Sequence, residues 1–274
     1  MKNKLVELAD KYETKDFLKN DPSQFLYYYK TVRDTELCAF IAALLSFGSR
    51  KQFIPKINFI MNEADKSGGI YKWILDRIYK KTFYTNDEKK FYRFYSYDDF
   101  YKLFLKLEHI LKKEKTLGEF IKKEYMTRSN VRGTKSAAVA KPTAHGTISP
   151  NLKTTTRAPS TYLVDIIADT FNDCSIVPST KTSAKKRLCM FLRWMVRDNS
   201  PVDKGLWTWY PKKDLIIPLD VHVLEEAKKL KLIPENAGAT RKTAELLSKE
   251  AKKYFPEDPA RLDFALFGLG VDKN

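Results

Sequence analysis

Apolar positions recur at three- and four-residue intervals along most of this chain, the period of a helix with one face in a core. Residues 36–45 (Glu-Leu-Cys-Ala-Phe-Ile-Ala-Ala-Leu-Leu) are apolar nearly all round, which predicts a central buried helix capped by Asp34 and Thr35. Gly48 is its stop, residues 49–52 read as an exposed polar turn, and a short helix follows over 53–61. From 71 to 111 aromatic residues alternate with Lys and Arg. Such a mixture can stack bases and hold phosphates, but Phe100, Phe104, Leu107 and Leu111 fall at helical spacing, which favours a core stripe. Residues 127–160 turn to Thr, Ser, Ala, Gly and Pro with no aromatic residue and no period, and read as a long loop or disordered insertion.

Order resumes at Tyr162, where Leu163, Ile166, Ile167 and Phe171 describe an amphipathic helix behind Ser160 or Thr161. The next helix, from Ala184, carries Leu188, Phe191, Leu192 and Met195 inward and Lys186, Arg193 and Arg197 on the opposite face. A strand-like run, Leu215-Ile216-Ile217, leads to Asp220, the N-cap of a further helix. Thr240 caps residues 241–254, with Ala244, Leu247, Ala251 and Tyr254 inward. Asp258 and Pro259 open a last helix that buries Leu262, Ala265, Leu266 and Leu269. There is no repeat at a fixed period. The class is all-α, with residues 1–274 as one large domain or two intimate lobes.

Composition adds a partner. The net charge of +16 and a pI near 9.5 predict attraction to a polyanion. Six of the sixteen charges fall in 127–161, so the bias belongs to the rest of the chain as well. Cys38, Cys174 and Cys189 lie apart in apolar runs, as reduced core cysteines do, and His109, His145 and His222 show no ligand spacing, so neither a metal nor another cofactor is expected. Glu7 and Asp10 interrupt any signal-peptide core. The longest uncharged apolar run, 37–49, is 13 residues, short of the ~18 a spanning helix needs. A soluble, cytoplasmic monomer that does not engage a membrane is the expectation.

Asp220 and Lys186 are the candidate chemistry. A carboxylate at an N-cap accepts bonds from the amides of the first turn, which fixes it and favours its ionised form. Asp before a helix is commonly only a cap, and lysines are commonly solvated. Three separated segments tip the balance. Residues 36–46, Pro218-Leu219-Asp220-Val221-His222-Val223, and Leu262-Asp263-Phe264-Ala265-Leu266-Phe267-Gly268-Leu269-Gly270 together resemble, in order and separation, the helix-hairpin-helix DNA glycosylases, the superfamily of endonuclease III and the 8-oxoguanine glycosylases. The likeness is nearest to an uncharacterised bacterial branch.

The resemblance implies an all-helical, two-lobed fold with its site in the cleft between lobes. It implies base excision on double-stranded DNA carrying a damaged base, such as the oxidised purine 8-oxoguanine, with Asp220 as the catalytic carboxylate. By position it makes Lys186 the nucleophile of a Schiff-base lyase step, with Lys185 as second choice; the flanking cations Lys185 and Arg187 would depress the amine's pKa. Lys181, Thr182, Ser183 and Arg187 are then expected on phosphates, Ser49, Arg50 and Gln52 in the gap left by the extruded base, and Trp207 and Trp209 stacked on that base. The chain departs from the superfamily in four places. Residues 178–183 contain no glycine, Lys186 and Asp220 stand 34 residues apart with 198–214 reading as an inserted excursion, Gly48 replaces the usual Gln or Asn, and no four-cysteine cluster follows Gly270. A non-catalytic nucleic-acid-binding protein on the same scaffold is the competing expectation.

Overall fold

The computed structural model describes residues 2–19, 21–137 and 162–271. The regular structure of the described residues is helical apart from one short hairpin, in agreement with the all-α expectation. In the first half, α2 (Val32–Leu45) is buried from Thr35 to its end, as its unbroken apolar sequence demands. Its cap lies earlier than expected: Thr31 accepts from the Asp34 amide, and Asp34, already in the first turn, accepts from the amide of Tyr71. Asp34 thereby ties α2 to α4 (Ile70–Leu75).

Residues 50–52 are not a turn. They form the first turn of α3 (Arg50–Asp65), leaving only 47–49 as the connection, with Gly48 at φ +80°. Pro55 is accommodated inside this helix, near its start.

The aromatic region is core, as its spacing favours. Phe100, Phe104, Leu107 and Leu111 on α5 (Tyr97–Leu111) are all buried, and Trp73 meets Phe104 edge-on at 5.0 Å between centroids. A reciprocal cap, in which Ser96 and Asp99 satisfy each other's amides, starts α5. The hairpin just before it, β1 (Lys90–Tyr92) and β2 (Tyr95–Ser96), was hidden in the sequence because its alternation is only three residues long. Arg93 turns it with φ 52°.

Residues 127–137 also differ from expectation. They continue α6 (Leu117–Ala137), because no proline intervenes before Pro142 and Ala, Arg and Lys prolong a helix already nucleated by the docked turn at Leu117 and Ile121. Arg128 on this extension pairs with Asp169 at 2.6 Å. Residues 138–160 of the expected loop, and the expected caps Ser160 and Thr161, lie outside the described residues.

The second half comprises α7 (Leu163–Thr170), α8 (Lys186–Val196), α9 (Val221–Lys229), α10 (Arg241–Ala251) and α11 (Leu262–Val271). The run 215–217 is extended but pairs with no strand. α8 crosses α2, α11 packs on α9, and α1 (Lys2–Tyr12) lies against α11 so closely that a Cβ at Gly268 would fall 1.9 Å from the Tyr12 ring.

Two expectations about α8 are corrected. Arg193 and Arg197 are not on a solvent face: both are buried, Arg193 against Asp203 and Asp263, Arg197 against Glu13, Asp203 and Asp258. Residues 198–214 are no excursion either. The segment folds back so that Lys204 and Trp207 donate amide bonds to Trp194 and Met195, and it delivers Asp203 to both arginines. Buried charge at one turn of spacing looks the same in sequence as a solvated stripe.

All three cysteines are buried free thiols, and burial pushes the Cys174 and Cys189 thiols up to about 12. Among the described residues no helix is long and apolar enough to cross a membrane, and no group of His, Cys, Asp and Glu could hold a metal ion.

Candidate active site

Asp220 is held as its sequence context predicts. It is the N-cap of α9, and its Oδ1 accepts from the Val223 amide at 2.9 Å. That leaves Oδ2 facing the start of α8, where it lies 3.6 Å from the Nζ of Lys186. Both side chains are about one-third exposed, 31% for Asp220 and 34% for Lys186, so the pair is open to a ligand.

The choice between adjacent lysines is made by one backbone angle. Lys185 takes a left-handed conformation, φ 49°, with its amide bonded to the Ser183 hydroxyl. Its side chain is turned inward, 5% exposed, to Asp165 at 2.9 Å, an aspartate it shares with Arg241. Lys186 is thereby the first residue of α8 and reaches Asp220. A non-glycine residue held left-handed costs about 1 kcal/mol or more, which the Lys185–Asp165–Arg241 cluster offsets.

The pair lines a cleft of about 370 Å³. Phe17, Phe47, Phe53, Met190 and Phe267 give it apolar walls, while Asp21, Arg50 and His222 stand among its polar lining. One further ionisable group of the cleft was not among the expected site residues: Asp263, in the first turn of α11. Burial pushes its carboxyl up to about 6, against the pull of Arg193, with the charge of Asp220 adding to the rise and that of Lys186 opposing it. The signal is present in the sequence as a lone carboxylate in the apolar run Leu262-Asp263-Phe264-Ala265-Leu266.

The remaining expected site residues divide. Arg50 is exposed at the cleft, 3.7 Å from Asp21, with Ser49 and Gln52 exposed beside it. Lys181 and Thr182 are exposed on the turn before α8, and Ser183 is half-buried. This turn is pinned to α10, where the Arg241 amide donates to the Thr182 carbonyl and Ser183 pairs with Thr240.

Arg187 is corrected: its guanidinium bonds the Leu44 carbonyl at the end of α2 and the Tyr95 hydroxyl, with Phe47 stacked at 4.8 Å, so it braces the fold instead of facing phosphate. The cations expected to flank Lys186, Lys185 and Arg187, are thus both engaged elsewhere. Trp207 is corrected as well. It is 1% exposed, donates to buried Glu36 at 2.7 Å, and leans so closely on Gly118 that a Cβ there would be 2.4 Å from its Nε1. Trp209 is half-buried and stacked on Trp207 at 5.7 Å, and neither indole lines the cleft.

A family model described as "Protein of unknown function (DUF2400)" matches residues 21–272. The chain belongs to the DUF2400 family. The match takes in Lys186, Asp220, Asp263 and every described α-helix except α1. No curated protein and no solved structure matches this DUF2400 chain.

Proposed function

We propose that this DUF2400 protein is a base-excision DNA glycosylase with an associated lyase activity through Lys186, acting on an oxidised purine such as 8-oxoguanine. The observation that carries the reading is the open Lys186–Asp220 pair, 3.6 Å apart at the mouth of an apolar-walled cleft in a chain of net charge +16. In this reading α7, the turn pinned to α10, and α8 are the helix-hairpin-helix element of a two-lobed fold, and the cleft lies between the lobes.

Breaking the bond between sugar and base builds positive charge on the sugar, and a carboxylate already fixed by its cap stabilises that charge without reorganising. Lys186, once it has lost a proton, attacks the anomeric carbon as the base departs with the bonding electrons. The resulting amine adduct opens to a Schiff base, which permits elimination of the 3′ phosphate. Asp263 supports the same scheme, because a carboxyl titrating near 6 can take up and return a proton at working pH. The cleft has room for one extruded base, with aromatic side chains to cover its faces.

Borohydride trapping and single-turnover cleavage on duplexes carrying 8-oxoguanine, uracil, alkylated purines or abasic sites test the proposal. A covalent complex is expected with the wild type and lost in Lys186→Gln. Base release without trapping would leave Asp220 and a water as the mechanism. Duplex binding with neither activity would favour a non-catalytic binding protein, a reading supported by the glycine-free turn at 178–183.

A further inference from the structure

Asp203 is the most deeply buried of the carboxylates that meet the two α8 arginines, with 0% of its side chain exposed. Taking a carboxylate out of water is costly unless cations and hydrogen bonds compensate, so its position calls for a reason. Main-chain bonds put it there. The Ser200 hydroxyl accepts from the Asp203 amide at 3.1 Å and donates to Glu13 at 2.8 Å. On the other side, the amides of Lys204 and Trp207 donate to the Trp194 and Met195 carbonyls at the end of α8.

One oxygen of Asp203 accepts a hydrogen bond from Arg197. The other faces the Nε of Arg193 at 3.4 Å, and neither of those two atoms has a hydrogen-bond partner among the described residues. Arg193 is thus drawn toward Asp203 by charge, while its Nη1 donates to Asp263 in the cleft. Its guanidinium is buried over the Phe264 ring at 4.3 Å, where solvent screens little of either attraction. Of the two carboxylates, Asp203 does more than Asp263 to hold Arg193 in its charged form.

We propose that Asp203 is a positioning residue for the cleft, which keeps Arg193 from committing fully to Asp263 and so leaves the Asp263 carboxyl able to carry a proton. The inference rests on the glycosylase reading for the reaction that this proton serves. A buried carboxylate paired with a guanidinium of its own would stay ionised across the working range, and one with no cation would stay protonated. One guanidinium divided between two carboxylates places Asp263 between those limits. The other charges around Asp263 do not substitute for this arrangement. Lys186 and Asp220 act on it in opposite directions. Asp21, Arg50 and His222 line the same cleft but keep contact with solvent, which weakens their reach. Arg197, 5.3 Å over the same Phe264 ring, is already held by Glu13, Asp203 and Asp258.

The test follows the carboxyl 13C signals of the full chain labelled at aspartate, titrated from about pH 4 to about pH 8, with Asp263 identified by its loss in Asp263→Asn. Asp203→Asn keeps an acceptor for Arg197 and should lower the Asp263 midpoint by about one unit or more, because Arg193 then serves one carboxylate. Arg193→Gln should raise the midpoint. Asp258→Asn takes a carboxylate from the same cluster without touching Arg193 and should leave the midpoint in place. Single-turnover base release from an 8-oxoguanine duplex, measured over the same range, should shift its pH profile with the midpoint in Asp203→Asn.

A midpoint unmoved in Asp203→Asn, or moved as far by Asp258→Asn, would reduce Asp203 to a tie between the 198–214 segment and α8 and overturn the inference. So would a midpoint that Arg193→Gln fails to raise, a result that needs no change at Asp203. A moved midpoint with an unmoved turnover profile would overturn the positioning role while leaving the glycosylase reading in place. Base release from no duplex, with the midpoint shifted as expected, would instead remove the glycosylase reading and leave the control of Asp263 by Asp203 standing.

Discussion

Glu108, in the aromatic half, and Asp263, at the cleft, are both buried carboxylates, yet their surroundings push them in opposite directions. Burial works to raise both. Around Glu108 it is outweighed by hydrogen bonds from Lys112, Tyr79 and Arg77, which hold the carboxyl down at about 2. Around Asp263 a single guanidinium, itself shared with Asp203, does not outweigh burial and the neighbouring Asp220, and the carboxyl stays at about 6. A carboxylate with more donors than it needs is a fastening. One with fewer is left ready to exchange a proton, which is the condition acid–base chemistry requires.

The comparison breaks most sharply at Asp220. Asn caps a helix as well as Asp does, so Asp220→Asn should leave the unfolding free energy measured in urea within about 0.5 kcal/mol of wild type. Base release in single turnover should nevertheless fall about a thousandfold or more. Equal losses of stability and turnover would reduce Asp220 to a cap.

Glu108→Gln should do the reverse. It removes the charge and one of the two oxygens that accept from three donors, at a cost of about 2 kcal/mol, a figure held down because Lys112 and Arg77 keep water contact, and it should leave base release unaltered. Chemical denaturation beside the same turnover assay measures both.

The smallest effect is a pH dependence of opposite sign in the two regions. Glu108 has a depressed folded pKa, so its contribution is present above about 4.5 and is lost as pH falls toward 2. Asp263 has a raised folded pKa. Between about 4 and 6 the native state keeps a proton that the unfolded chain has released, and stability declines as pH rises through that window. Urea titrations at half-unit pH steps should show this decline in wild type and not in Asp263→Asn.

These residues also show what the sequence could and could not tell. The caps at Asp220 and Thr240 were legible because capping depends on residue type and on the next three positions, all local. The burial of α2 and of the Phe100–Phe104 stripe was legible from periodicity. Lys185 and Lys186 could not be ranked by local rules, since what separates them is a left-handed turn stabilised by Asp165 and Arg241, distant in sequence. Arg193, Arg197 and Asp263 were misread for the same reason: a charge is solvated or buried according to partners the chain supplies from elsewhere. Trp207, expected to stack on an extruded base, is instead packed inside with its N–H donated to Glu36, a partner 171 residues away that no local rule supplies.

The seating of α1 on α11 bears on how the protein is made. Arg261 reaches Glu13 at 2.8 Å across 248 residues of sequence, and Phe17 packs edge-on to both Phe264 and Phe267. A ribosome therefore extrudes one wall of the cleft first and the opposite wall only after α2–α10 have emerged. Until then Arg193 has no Asp263 and Tyr12 no Gly268 to close upon, so the nascent chain carries a half-built cavity through most of its synthesis. Contacts of such long reach are slow to form, and the cleft should be the last part of the molecule to mature.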